Sequence, residues 1–179
     1  MSRETLYVGM DESNHGELKT KIGEIIVATF SYSKRYWNEN ARHPNRRDYS
    51  QIDMALRNGV DYIYTFLPHD LAKQNYSNLP LVAPELVSRI LHFKYAPEIK
   101  LGLDGRLLDH DKKNMIDAFE EMGFRPEISN YIKKNGMHEG PKLIYLSHLI
   151  ANSILRKSIV GIARDNHYLP FDILEFGKN

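Results

Sequence analysis

Apolar residues run through this chain in two rhythms. Early on they come as short runs rich in β-branched and aromatic residues, "ETLYVGM" at 4–10 and "GEIIVATFSY" at 23–32, joined by a polar connection that contains glycine. That pattern predicts an antiparallel hairpin with a long loop, and the loop would carry Asp11 and Glu12. The next stretch, "SKRYWNENARHPNRRDYS" at 33–50, is polar and irregular. A short helix follows over "SQIDMALRNG", with Ser50 as its cap and Gly59 as its terminator, and a third strand, "DYIYTFLP", stops at Pro68.

After a loop at 69–80 the rhythm changes to an alternation of helix and strand. An apolar-periodic helix at 84–95 leads to the strand "EIKLGLD", the helix "DKKNMIDAFEEMG", the strand "PEISNYIKK" and a long helix at 141–157. The expectation is one α/β domain spanning 1–179. Its mixed sheet would have three antiparallel strands followed by parallel ones, with helices on both faces. Residues 158–179 would form a C-terminal tail packed on that body.

Composition narrows the chemistry. With 179 residues and 42% hydrophobic content, the chain can bury a sizeable core and disorder is not expected. No run of about 18 apolar residues occurs and the N-terminus lacks the apolar core of a signal peptide, so a soluble cytoplasmic protein is the expectation. The absence of cysteine rules out disulfides, thiolate nucleophiles and sulfur-ligated zinc. Any metal would sit among carboxylates, histidine and carbonyl oxygens, a donor set that favours hard ions. A net charge of +1 says little about partners, because basic residues can gather on one face.

Two acids stand out. Asp11 follows the first strand and Asp104 ends "EIKLGLD"; if those strands are parallel neighbours, the carboxylates meet in the crevice beyond the strand ends. Carboxylates so placed repel unless a divalent cation such as Mg²⁺ neutralises them. The plainer alternative is that Asp104-Gly105 is a routine turn and the acids are solvated strand ends. On the last helix, His148, Asn152 and Arg156 recur every four residues and share one stripe, which faces either a metal crevice or water. His15, His69, His92 and His110 read as surface or loop residues. Between 34 and 49, Lys34, Arg35, Arg42, Arg46 and Arg47 alternate with Tyr36, Trp37 and Tyr49. Such a stretch suits phosphates and unpaired bases, or is a loop that Trp37 pins to the body. No Walker-type or Gly-rich dinucleotide loop is present.

The stretch "GMDESNHGELKTKIGEIIVATFS" resembles the N-terminal signature of ribonuclease HII, "LGLDG" resembles that family's second acidic strand end, and "LIANSILRK" its small-residue helix. Where that family has Gly-Arg-Gly in the turn, this chain has Asn14, His15 and Gly16. Where the family has an acid ahead of the helix, this chain has Leu143, with Glu139 the nearest acid. "PKLIYLSHLIANSILR" also looks like the terminal catalytic helix of Argonaute and Piwi domains, in which a histidine serves the second metal. These resemblances imply a ribonuclease H-like fold and nucleic-acid phosphodiester hydrolysis with Mg²⁺ or Mn²⁺. They assign Asp11, Glu12, Asp104 and His148 as catalytic and metal-binding residues. Asn14, His15, Gly16, Arg46, Arg47 and Asn152 are the candidate substrate contacts. The alternative is a catalytically inert nucleic-acid-binding or scaffolding module of the same fold.

Overall fold

The first strand, β1 (Thr5–Ser13), lies at the centre of a five-stranded sheet in the computed structural model of the chain. The structure describes residues 4–13, 23–42, 48–67, 77–105, 107–131, 139–159 and 167, without the side chains of 40–42, 139 and 157–159. β2 (Glu24–Ser31) pairs antiparallel with β1, and β4 (Asp61–Leu67) pairs antiparallel with β2. On the other side of β1, β5 (Glu98–Asp104) and then β6 (Glu127–Tyr131) run parallel, giving the order β4-β2-β1-β5-β6. The expected three antiparallel strands followed by parallel ones are therefore present.

Side-chain alternation divides the core into two layers. Leu6, Val8 and Met10 of β1, with Ile26 and Ala28 of β2, face the helices α3 (Leu79–Phe93) and α4 (Asp109–Glu121), whose Val82, Leu86, Ile90, Met115 and Phe119 complete one cluster. On the opposite face, Tyr7, Ile25 and Val27 pack against Leu143, Leu146, Ile150 and Ile154 of α5 (Lys142–Ile159). Two short helices, α1 (Lys34–Asn38) and α2 (Ser50–Arg57), join that second layer through Tyr36 and Ala55.

Several boundaries differ from expectation, each for a tertiary reason. β1 continues to Ser13 because β2 keeps hydrogen-bonding to it, with Asp11 opposite Val27 and Glu12 opposite Ile26, so both acids lie in the strand and not in a loop. Leu79 and Pro80 are helical: α3 begins there, with Pro80 in the first turn, where a missing N–H costs nothing, and Pro84 inside the helix. Of the expected loop at 69–80, residues 69–76 lie outside the described part. The irregular stretch after β2 contains α1 and the three-residue β3 (Asn40–Arg42), which pairs with β7 (Glu139–Pro141) in a second small sheet. The expected tail at 158–179 begins inside α5, which runs to Ile159, and beyond the helix only His167 is described; its ring stacks on Tyr62 at 4.1 Å and its carbonyl accepts the Tyr64 N–H. Among the described residues no helix is long and apolar enough to cross a membrane.

Candidate active site

The site is built on a close approach between α5 and the sheet. Gly9 of β1 and Gly102 of β5 are register partners on adjacent parallel strands. A Cβ on Gly9 would lie 2.5 Å from the Ile144 nitrogen, so α5 rests directly on the strand backbone there. Leu143, where the resembling family has an acid, is fully buried at this contact. One turn on, Ser147 locks the approach. Its hydroxyl donates to the Gly9 carbonyl at 2.8 Å and accepts the Thr29 N–H at 3.2 Å, while the Thr29 hydroxyl donates to the Leu143 carbonyl at 2.7 Å. Sequence reasoning missed Ser147 and Thr29, because an isolated hydroxyl residue in an apolar strand or helix carries no local signal.

The next residue of α5, His148, then sits over Asp11, two positions along β1 from Gly9 and so on the same face. Its Nδ1 is 2.8 Å from Asp11 Oδ2, and Asp11 Oδ1 accepts the Glu12 N–H at 2.7 Å. The β1–β5 register runs up to Met10 opposite Leu103, which places Asp104 next to Asp11 at the carboxyl end of the parallel pair. Asp104 Oδ1 accepts the Gly105 N–H at 2.9 Å in a tight turn where Gly105 adopts a φ of +100°. Both carboxyls are nearly buried, at 5% and 6% exposure. Burial pushes the Asp11 pKa up, the His148 hydrogen bond opposes this, and the neighbouring Asp104 charge raises it further.

Glu12 leaves β1 on the other face. Its Oε2 accepts the Asn78 N–H at 2.9 Å, just ahead of α3, and Asn78 Nδ2 donates to Glu24 Oε2 at 2.6 Å. Burial first, then the Glu24 charge, holds the Glu12 carboxyl well above its ordinary 4.5. Adjacent in sequence, Asp11 and Glu12 therefore belong to different layers, as the two-residue period of a strand requires. Nothing in the sequence pattern singled out Glu24 or Asn78.

The remaining stripe of α5 divides. Asn152, 7% exposed, donates its amide to the His148 carbonyl at 2.8 Å and lies 3.1 Å from His148 Nε2, whereas Arg156 is exposed and sits 5.4 Å above the Tyr49 ring. Trp37 pins α1 to the sheet, its ring 5.6 Å from that of Tyr7. Lys34 and Arg35 are exposed, while Asn14, His15, Gly16, Arg46 and Arg47 lie outside the described residues, as do His69 and Arg42's side chain. His92 Nδ1 is 2.9 Å from the Ser88 carbonyl, and His110 Nε2 is 3.1 Å from Asp111 Oδ1.

The donors at the Asp11 end, two carboxylates and an imidazole, are of the kind that suits a hard divalent cation, and a cation would relieve the repulsion between buried acids. Among the described residues no group of three or more His, Asp or Glu is arranged to hold a metal ion.

No family model and no curated protein matches the sequence. In structure the chain is similar to a chain of the PCNA:RNase HII complex from Archaeoglobus fulgidus, with a TM-score of 0.53 and 14% identity over 91% of this chain and 81% of that one. The mixed five-stranded sheet with helices on both faces is thus a ribonuclease H-like α/β fold.

Proposed function

We propose that this chain is a divalent-metal-dependent nuclease that hydrolyses phosphodiester bonds in RNA, DNA or an RNA–DNA hybrid. The observation that carries the reading is the meeting of Asp11 and Asp104, delivered by neighbouring parallel strands to one strand end beneath His148. Mg²⁺ or Mn²⁺, when bound, supplies Lewis acidity toward water and phosphate oxygens. Asp11, Asp104 and His148 would hold it. The chain's own contribution is preorganisation. Backbone N–H groups of Glu12 and Gly105 aim one oxygen of each acid, the Ser147 brace fixes the height of His148, and burial of both carboxyls keeps bulk water away. Glu12 anchors the strand end to the segment that opens α3. Asn14, His15 and Gly16, which follow the acids after Ser13, and Arg46 and Arg47 are proposed to contact the polynucleotide.

A second reading, an inert nucleic-acid-binding module, is favoured by the lack of an assembled group of three metal donors among the described residues. Incubation of the protein with labelled single strands, duplexes and RNA–DNA hybrids, with Mn²⁺ and without it, separates the two. Cleavage that needs Mn²⁺ and disappears in Asp11→Asn is the expected result. Strand binding without cleavage at any Mn²⁺ concentration overturns the nuclease and leaves the module.

A further inference from the structure

The two helices that cover the Glu12 face of the sheet, α3 and α4, leave a groove of about 680 Å³ between them. Buried Pro84 and Met115, with the more open Leu81, Ala118 and Met122, give it an apolar lining. Leu81, in the first turn of α3, keeps 41% of its surface in solvent. Pro84 has no N–H to return to the Pro80 carbonyl, so this wall also carries a backbone acceptor without its helical donor. The rim is acidic. Asp111, Asn114, Asp117 and Glu121 recur every three or four residues of α4, and Glu85 joins them from α3. Among the described residues no Lys or Arg lines the groove, although the net charge of the whole chain is +1. Glu85 and Asp117 pair along their own helices with Arg89 and Lys113, at 2.6 and 2.9 Å, and Asp111 lies 3.1 Å from His110 Nε2. Exposed i,i+4 pairs are weak and readily exchanged for a partner's cation. The other side of α4 is net basic: a smaller pocket of about 270 Å³ against β6, lined by Ile116, Phe124 and Ile128, has Lys112 and Arg125 against Glu120.

We propose that the groove between α3 and α4 docks a basic amphipathic helix of a partner protein. A third helix laid between two others puts its apolar stripe into the groove, here onto Leu81, Ala118 and Met122, while Lys or Arg side chains on its flanks reach the acids on either side. Charge complementarity selects this occupant. An acidic rim repels the phosphates of a nucleic acid and the headgroups of an anionic membrane, and draws cationic side chains. Met115 and Met122 let the lining adjust to apolar residues of different shape. A Lys or Arg of the partner also supplies a donor for the Pro80 carbonyl. The groove belongs to the helical layer on the opposite face of the sheet from α5 and His148, so the inference stands apart from the nuclease reading.

The test uses full-length protein with ¹³C-labelled methionine methyls and a fluorescent peptide of about 16 residues, with Leu at i, i+3, i+4 and i+7 spacing and Lys elsewhere. In NMR spectra binding should shift the methyl signals of Met115 and Met122, identified through Met115→Leu and Met122→Leu, and leave in place that of Met54, which is exposed on α2. By fluorescence anisotropy, reversing the rim with Asp117→Lys and Glu121→Lys together should weaken binding by on the order of tenfold. Should that pair unfold the protein, Asp117→Asn with Glu121→Gln keeps the volume and should weaken binding in the same direction. Leu81→Ala should cost about fivefold through lost apolar contact, whereas Lys112→Glu, on the other side of α4, should not weaken binding. A peptide of the same composition without the helical period should bind about tenfold more weakly, since its leucines cannot enter the groove together. Absence of binding, equal binding of the two peptides, still Met115 and Met122 signals in the bound state, or an affinity indifferent to the rim acids overturns the proposal. Tighter binding of a Leu and Glu peptide of the same pattern also overturns it and moves the docking surface to the basic side of α4.

Discussion

The two faces of β1 at its carboxyl end hold the same chemistry in different settings. On one face Asp11 adjoins Asp104, and on the other Glu12 adjoins Glu24; in each pair burial and like charge push a carboxyl upward. The partners differ. Glu12 and Glu24 are tied down by the backbone and side chain of Asn78, which with Glu24 is essentially inaccessible, at 0% and 1% exposure. Asp11 is bonded instead to an imidazole that keeps a quarter of its surface in solvent. A buried acid pair is therefore not by itself a sign of function. What distinguishes the proposed site from the Glu12 pair is a solvent-reaching imidazole in place of a closed amide.

That comparison can be broken most directly through activity. Asp11→Asn should lower Mn²⁺-dependent hydrolysis by on the order of 10³-fold, the scale of losing a principal electrostatic group, while Glu12→Gln stays within about tenfold of wild type in the same assay. The reverse order would move the site to the other face. Next in size is the approach of α5, which serves only the Asp11 side. Gly9→Ala forces a methyl group into the Ile144 and Leu143 backbone and should cost about 3 kcal/mol in urea unfolding, with activity lost in whatever folds. Ser147→Ala strips the Gly9 carbonyl and the Thr29 N–H of a partner and should cost roughly 1–3 kcal/mol by the same measurement.

The smallest effect sharpens the other half of the comparison. The folded Glu12 carboxyl keeps its proton to higher pH than the unfolded one near 4.5. Between those two values the native state binds more protons than the unfolded chain, so stability falls as pH rises through that window and the cost persists at neutral pH. Glu12→Gln removes the charge and should flatten this dependence, raising Tm at pH 7 by roughly 2–4 °C, as ~1 kcal/mol does for a chain of this length. A melting series from pH 4 to pH 8 would show the slope in wild type and its loss in the variant. An unchanged slope would mean that Glu12 is not the group strained by Glu24.

Much of this was legible in the chain itself. Runs of β-branched and aromatic residues, stop signals such as Gly59 and Pro68, and the helix periodicity after residue 84 are local features. They sufficed to place the strands and helices along the chain, to read the sheet as mixed and to propose that Asp11 and Asp104 meet if their strands are parallel neighbours. The four-residue spacing of His148 and Asn152 likewise put them on one stripe before any fold was known.

Tertiary structure decided the rest, because each remaining feature joins residues that are remote in sequence. β1 reaches Ser13 only because β2 pairs with it, and three-residue strands such as β3 and β7 exist only in each other's presence. Glu12 turned from a companion of Asp11 into a partner of Glu24 and Asn78 once the pleat was placed between two helical layers. Whether the stripe on α5 faced water or acid depended on how closely a helix can lie on glycine backbone, a contact spanning more than a hundred residues of chain. The sequence determined which groups are available and in what succession along the chain; packing determined the strand order and which groups touch, since short-range periodicity carries no information about distant partners.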